Sequence, residues 1–98
     1  MTQTSTGNPE SFPPNKFKPG SQNWRVFNEV KRYRRVLNVE IMRGLGGPPI
    51  MNTTGRCSDV RDHLAKYGWI LSDAQPVNPE IQPGVFEYRA KQIMEARG

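Results

Sequence analysis

Hydrophobic residues recur at helical spacing in the middle of the chain. Four of them lie three or four residues apart: Cys57, Val60, Leu64 and Tyr67. This spacing places them along one side of an α-helix, with polar positions on the opposite side. Gly68 follows the last of them, where glycine adopts a left-handed cap conformation at the least cost. The pattern therefore predicts a helix over residues 54–67 whose apolar stripe faces the core.

A similar stripe predicts an earlier helix. Trp24, Phe27 and Val30 are spaced so that they share one helical face. Ser21 or Asn23 is the expected N-cap, because a side-chain oxygen there can accept a hydrogen bond from a free backbone amide of the first turn. We expect this first helix to form one wall of the core.

A second, shorter helix is predicted over residues 36–42, with Asn38 as its cap. It ends at the glycine-rich stretch 44–47, and Pro48 and Pro49 prevent its continuation. The glycines lack the Gly-Lys-Ser/Thr ending and the preceding strand of a phosphate-binding loop. We therefore interpret this stretch as a turn.

The last third of the chain has β character. Residues 69–71 are bulky and branched, and residues 85–89 alternate with period two, so we predict two strands that pair as a hairpin. Residues 72–84 between them contain three prolines and are expected to form a long loop. Residues 90–97 are good helix formers and predict a C-terminal helix. The expected sheet has no more than three strands.

The predicted core combines these elements around one centre, as expected for a chain of 98 residues that has room for one small domain. Its members are Trp24, Phe27, Val30, Leu37, Ile41, Leu45, Val60, Leu64, Trp69, Ile70, Phe86 and Tyr88.

The first twenty residues differ in composition from the rest. They are rich in Thr, Ser, Asn and Gly and hold four of the nine prolines. Such a segment buries too little apolar surface to offset the entropy lost on ordering. We predict a disordered arm over residues 1–20 and a domain over residues 21–98. The alternative is that Phe12 and Phe17 dock onto a partner or onto the domain.

Charge and cysteine content narrow the function classes. The net charge is +5, and residues 21–66 hold nine Lys or Arg against four Asp or Glu, which favours an acidic partner such as nucleic acid. One cysteine excludes an internal disulfide and a cysteine-rich zinc site. No apolar run is long enough to cross a membrane and no signal-peptide core is present. We expect a cytoplasmic protein without membrane association.

Candidate catalytic groups are few. His63 is the single histidine, and its spacing from Asp59 predicts an exposed surface pair rather than a metal site. Cys57 lies on the apolar stripe, where burial raises a thiol pKa and suppresses its reactivity. The sequence therefore predicts a protein that is not an enzyme and that uses no metal or cofactor.

Four passages, residues 22–27, 37–41, 56–69 and 85–89, follow one another as helix, helix, helix with its exit, and closing strand. Their order resembles the small winged helix-turn-helix DNA-binding proteins of bacteriophages and mobile elements. The resemblance implies a mainly α protein with a small β-hairpin (α+β class), built as a three-helix core with a wing. It departs from the family in the long turn before helix three and in acidic Asp73 and Glu80 in the wing.

The resemblance also implies a regulator that binds double-stranded DNA in the host cytoplasm, with helix 54–67 in the major groove and basic residues 31–35 on phosphates. Arg61 suits guanine, while Ser58 and Asp62 would adjust the local fit. The oligomeric state is left open, including a dimer on DNA. The candidate DNA-binding residues are Lys31, Arg32, Arg34, Arg35, Arg56, Ser58, Arg61, Asp62 and Lys66.

A protein-binding module is the alternative function. The outer face of the third helix carries Asp59 and Asp62, and these carboxylates repel phosphate unless they accept hydrogen bonds from cytosine amines. A winged helix that grips or inhibits a host or phage protein would tolerate them, because a fold does not determine its function.

Overall fold

The computed structural model of the chain describes residues 12–93. This part of the chain folds into three helices and a four-stranded antiparallel sheet, which confirms the α+β class. None of its helices combines the length and apolarity needed to cross a bilayer. The elements in order are α1 Gln22–Tyr33, β1 Arg35–Leu37, α2 Asn38–Met42, α3 Thr53–Ala65, β2 Trp69–Leu71, β3 Gln75–Pro76 and β4 Phe86–Gln92.

Strand β4 is the centre of the sheet and pairs with the three other strands. Glu87 is in register with both Leu37 of β1 and Gln75 of β3, so these two strands lie on opposite sides of β4. Arg89 is in register with Arg35 of β1. Its carbonyl accepts a hydrogen bond from the backbone N–H of Ser72, the residue just after β2. Strands β2 and β3 therefore share one side of β4. The expected limit of three strands is wrong because this arm of the hairpin is interrupted and its far part pairs again. The sheet is therefore larger than the predicted winged-helix arrangement allows, and only the coarser α+β class is confirmed.

Helix α1 begins as the sequence predicts. The Ser21 hydroxyl accepts a hydrogen bond from the backbone N–H of Trp24 at 3.2 Å. Phe27 and Val30 are fully buried, as the stripe requires, and Val26 joins them on a neighbouring line. The first helix therefore supplies three adjacent core side chains.

The second helix is shorter than predicted, because its expected first residues form β1. Val36 is fully buried and is in register with Tyr88 of β4. Asn38 is not the cap: its side chain donates to the Gly84 carbonyl at 2.9 Å and accepts from the Phe86 amide at 2.8 Å. Asn38 thus ties the start of α2 to the start of β4, a role that only the tertiary fold reveals.

The glycine-rich turn after α2 is closed by a side chain from α1. Gly44 has a φ of +94°, and a Cβ built on it would lie 2.2 Å from the Pro48 carbonyl oxygen, so only glycine fits there. The Arg25 guanidinium donates to the carbonyls of Gly44 and Pro48, the latter at 2.6 Å. The turn is therefore a packed structure held against α1.

Helix α3 runs from Thr53 to Ala65, so it starts one residue earlier and ends two residues earlier than predicted. The Asn52 side chain caps it by accepting a hydrogen bond from the Gly55 amide at 3.1 Å. Cys57, Val60 and Leu64 are buried, which confirms the stripe at these positions. Tyr67 lies beyond the helix and is exposed, so its expected place on the stripe is wrong.

The predicted C-terminal helix is wrong over residues 90–92, because β4 extends to Gln92. Tyr88 and Ala90 are buried and Arg89 and Lys91 are exposed, which is the alternation of a strand with one solvated face. Pairing with β2 outweighs the helix propensity of these residues. Residues 94–97 of the predicted helix lie outside the described residues.

The predicted core is confirmed at seven positions and differs at five. Ile70 is exposed because it is the middle residue of β2, whose neighbours Trp69 and Leu71 point inward. Trp24, Leu37, Leu45 and Phe86 are only half-buried. The confirmed residues are Phe27, Val30, Ile41, Val60, Leu64, Trp69 and Tyr88.

The predicted arm boundary at residue 20 is corrected by the structure, because residues 12–19 pack on the domain. We call this segment the strap. The Phe12 ring lies 4.7 Å from Trp69 and 5.4 Å from Phe27, both between ring centroids, and Phe17 lies 6.0 Å from Phe27. Two aromatic side chains thus supply the apolar contact that composition alone does not indicate. Residues 1–11 of the predicted arm lie outside the described residues.

Candidate nucleic-acid interface

His63 is a buried structural residue and not part of a surface pair, so that prediction is wrong. Its Nε2 lies 2.9 Å from the Pro14 carbonyl oxygen, which can only accept, so Nε2 carries the hydrogen. Its ring lies 5.1 Å from Phe17 and 5.2 Å from Phe27, between centroids. Because the strap covers this side of α3, the single histidine anchors the strap.

Asp59, the expected partner of His63, faces the other way. It accepts a hydrogen bond from the Asn23 amide at 2.9 Å and lies 3.7 Å from the Arg56 guanidinium. Arg56 was a candidate DNA-binding residue of the third helix, but this pairing offsets its charge. The start of α3 therefore presents little net charge.

Arg61 does not point outward to meet a guanine. Its Nε donates to the Leu71 carbonyl and its terminal nitrogen donates to the Ser72 carbonyl, both at 3.0 Å, and it lies 3.5 Å from the Asp73 carboxylate. The planar guanidinium spans two consecutive carbonyls at the end of β2. Arg61 thus links helix α3 to the end of strand β2.

Replacing Arg61 by alanine should therefore destabilise the fold and leave base preference unchanged. Two carbonyls would lose a charged donor, and we expect a loss of about 1–3 kcal/mol in the free energy of unfolding, measured by urea denaturation. Arg61→Lys, the charge-matched control, should recover only part of this loss because an ammonium lacks the two-pronged geometry. Unchanged stability with an altered base preference would contradict this role.

Arg34 is likewise held within the molecule. It takes a left-handed conformation (φ 60°) after α1, and its guanidinium lies 4.5 Å from the Phe12 ring centroid and 5.5 Å from that of Trp69. It also donates to the Lys31 carbonyl. Cation–π contacts of this kind join the strap to β2. The Arg34 side chain therefore packs against the strap and does not extend outward as a phosphate contact would.

The remaining cations at the end of α1 are exposed. Lys31 and Arg32 occupy its last turn, and Arg35 begins β1. Arg89 and Lys91 of β4 add to them on the neighbouring strand. We call these five residues the basic surface. Their neighbourhood includes a cleft of about 370 Å³ whose lining residues are Tyr33, Arg34, Arg35, Arg89, Ala90 and Lys91.

Sequence reasoning missed two members of this surface. The alternation along residues 85–89 already implies that Arg89 points away from the core, but Lys91 was assigned to a helix. Tyr33 also borders a second cleft, whose lining joins Arg32 with the carboxylates of Glu29 and Glu40. The cleft described above brings together three of the cations: Arg35, Arg89 and Lys91. An anionic partner could contact several of them together.

The exposed side of α3 is nearly neutral by comparison. Asp62 and Lys66 are exposed and opposite in charge, and Ser58 is half-buried. In the wing, Asp73 and Glu80 are exposed carboxylates. Among the described residues, the exposed cations are therefore more numerous on the basic surface, where Glu87 pairs with Arg35 and Arg89, than on α3.

Cys57 is confirmed as a buried thiol. Burial raises its pKa to about 11, against which nearby Arg61 and a hydrogen bond with Tyr88 act in the lowering direction. The thiol is protonated at neutral pH, and a protonated thiol is a poor nucleophile.

The described residues thus combine a group of exposed cations with a helix that exposes polar side chains, and this arrangement suits contact with an extended polyanion. Comparison of the chain with protein-family models, curated proteins and solved structures finds no match. Its function is therefore inferred from its own residues.

Proposed function

We propose that this chain is a winged-helix protein that binds double-stranded DNA in the cytoplasm and acts as a regulator. The observation that supports it most is the order of elements. Strand β1 separates α1 from α2, α3 runs directly into β2, and a long connection returns to β4, which pairs between β1 and β2. In a winged helix, the third helix enters a groove and the connection forms the wing.

The charge distribution agrees with this assignment. Lys31 and Arg32 end α1 on exposed positions, where they would contact phosphates beside the groove that α3 enters. Contacts of this kind supply affinity without base preference, and they release counterions from the DNA.

Base preference would come from the outer side of α3. Lys66 can donate to acceptors on guanine, Asp62 can accept from a cytosine amine, and Ser58 suits either. Arg61 is absent from this set because the carbonyls of β2 hold it. We therefore expect a modest preference among sequences.

A protein-binding module is the second candidate, and the wing favours it. Ile81 is 75% exposed and Val77 is 47% exposed, next to the carboxylate of Glu80. Apolar side chains and a carboxylate suit a protein surface better than a phosphate backbone. In that case duplex DNA would bind weakly or not at all.

Two variants separate phosphate contact from base readout. Arg32→Ala should weaken binding to all duplexes alike, by about three- to tenfold, and lower the salt slope by about one. Lys66→Ala should reduce the ratio between a selected site and a random duplex, because it removes a donor to base edges. Fluorescence anisotropy with both duplexes at two salt concentrations measures these effects.

Lys18→Ala is the matched control, since Lys18 is an exposed cation of the strap. It should leave both duplex affinities unchanged. If Arg32→Ala and Lys66→Ala also leave them unchanged, the proposed mode of binding is wrong.

A further inference from the structure

The outer face of the sheet carries a set of cations whose arrangement the fold itself does not require. Side chains alternate along β4, so Tyr88 and Ala90 enter the core while Glu87, Arg89 and Lys91 point outward. The register brings one further cation to this face: Arg35 of β1 stands opposite Arg89.

Placing two arginines opposite each other is unfavourable for a sheet, because like charges on a cross-strand pair repel. The Glu87 carboxylate, which lies close to both guanidinium groups, offsets this repulsion. Its Oε1 accepts a hydrogen bond from Arg89 Nε at 2.8 Å, and its Oε2 lies 3.7 Å from Arg35 Nε. One carboxylate thus holds Arg89 by a hydrogen bond and balances the charge of Arg35, and both arginine side chains remain exposed to solvent.

These ion pairs do not explain why the arginines are there. The Arg89 side chain is 72% exposed, and exposed ion pairs contribute roughly 0–1 kcal/mol to stability. Glu87, in contrast, is mostly covered, with 19% of its side chain exposed. Glu87 is the more buried partner, and both arginines keep N–H groups that can bind a further anion.

The cations also border a concave surface. Arg35, Arg89 and Lys91 line the cleft that includes Tyr33, which is half exposed beside them. Residues two apart on a strand are about 7 Å from each other, so Arg89 and Lys91 can reach separate groups along an extended ligand. Three cations and one carboxylate leave a net charge of +2 on this face.

We propose that Arg35, Arg89 and Lys91 form a contact site for the phosphate backbone of double-stranded DNA on the outer face of the sheet, where Glu87 positions Arg89 by a hydrogen bond and balances the charge of Arg35. This inference rests on the proposed function and adds to it a surface separate from α3. Each guanidinium donates its outer N–H groups to a phosphate, and the Lys91 ammonium acts as a point charge.

The test is the binding of a random-sequence duplex of about 20 base pairs to the full chain as salt is raised. The double variant R89Q/K91Q should bind at least tenfold more weakly at low salt. Its slope of log affinity against log salt should fall by about two, since roughly 0.9 counterion is released per phosphate contact. R89K/K91R, which keeps both charges, should retain the wild-type slope. Both variants should melt within a few degrees of the wild type, because the positions are exposed.

Failure of the sheet site and failure of the proposed DNA-binding function give different results. If R89Q/K91Q binds like the wild type while Arg32→Ala and Lys66→Ala weaken binding, the sheet site is wrong and DNA binding through α3 stands. A wild-type chain that binds no duplex at low salt overturns both.

Discussion

Replacing Leu64 by alanine is expected to lower the free energy of unfolding by about 2–5 kcal/mol. Leu64 is fully buried and lies on the side of α3 that faces the core. Its truncation removes apolar contacts and leaves a cavity that the surrounding side chains fill only in part. The loss would be a large fraction of the stability of a domain this size. Urea denaturation measures it as a lower midpoint with an unchanged slope.

Ile70→Ala is the matched control for this prediction. Both changes remove a branched aliphatic side chain, but Ile70 lies on the outer face of the sheet and is exposed. Its replacement should cost less than about 1 kcal/mol, as for most surface substitutions. A Leu64→Ala protein as stable as the Ile70→Ala protein would contradict the packing described above.

Removing the strap is expected to have the second large effect. Deletion of residues 1–19 should lower the melting temperature by about 10 °C or more. Loss of two aromatic side chains from the faces of Phe27 and Trp69 costs several kcal/mol, and each kcal/mol shifts the melting temperature by roughly 4–8 °C in a domain of this size. Deletion also removes the Pro14 carbonyl, to which His63 donates. Calorimetry or circular dichroism measures the change.

Point substitutions assign this effect to the strap aromatics. Phe17→Ala should reproduce part of the loss, because Phe17 packs on both Phe27 and His63. Lys16→Ala, one residue away and exposed, should have no measurable effect. A deletion protein that melts within a few degrees of the full chain would mean that the strap contributes little to stability.

Local patterns were sufficient for much of the fold. The stripes of α1 and α3 were predicted because burial on one helical face leaves a period in the sequence. The strand over residues 90–92 was missed because its local helix propensity is good, and only pairing with β2 overrides it. Packing of the strap was considered only as the alternative to a disordered arm, for a related reason. A segment rich in polar residues and proline carries no periodic signal, so two isolated phenylalanines do not reveal what they pack against.

The sequence indicated which cations belong to the candidate site, but not which of their side chains turn toward solvent and which turn inward. The exposed cations of residues 31–35 lie where the end of a helix places them, so Lys31, Arg32 and Arg35 could be identified. Arg34 turns inward through a left-handed backbone conformation that favours glycine, which no sequence pattern indicated. Arg61 is captured by carbonyls of β2, and that contact exists only once α3 and the sheet have packed together.

The central claim, that this chain binds double-stranded DNA through phosphate contacts, is tested most directly by the salt dependence of wild-type binding to a random duplex. With about five phosphate contacts, affinity should fall by roughly 10²- to 10³-fold between 50 and 200 mM salt. A dissociation constant above ~100 µM even at low salt, or an affinity that does not change with salt, would contradict the claim and favour a protein partner instead.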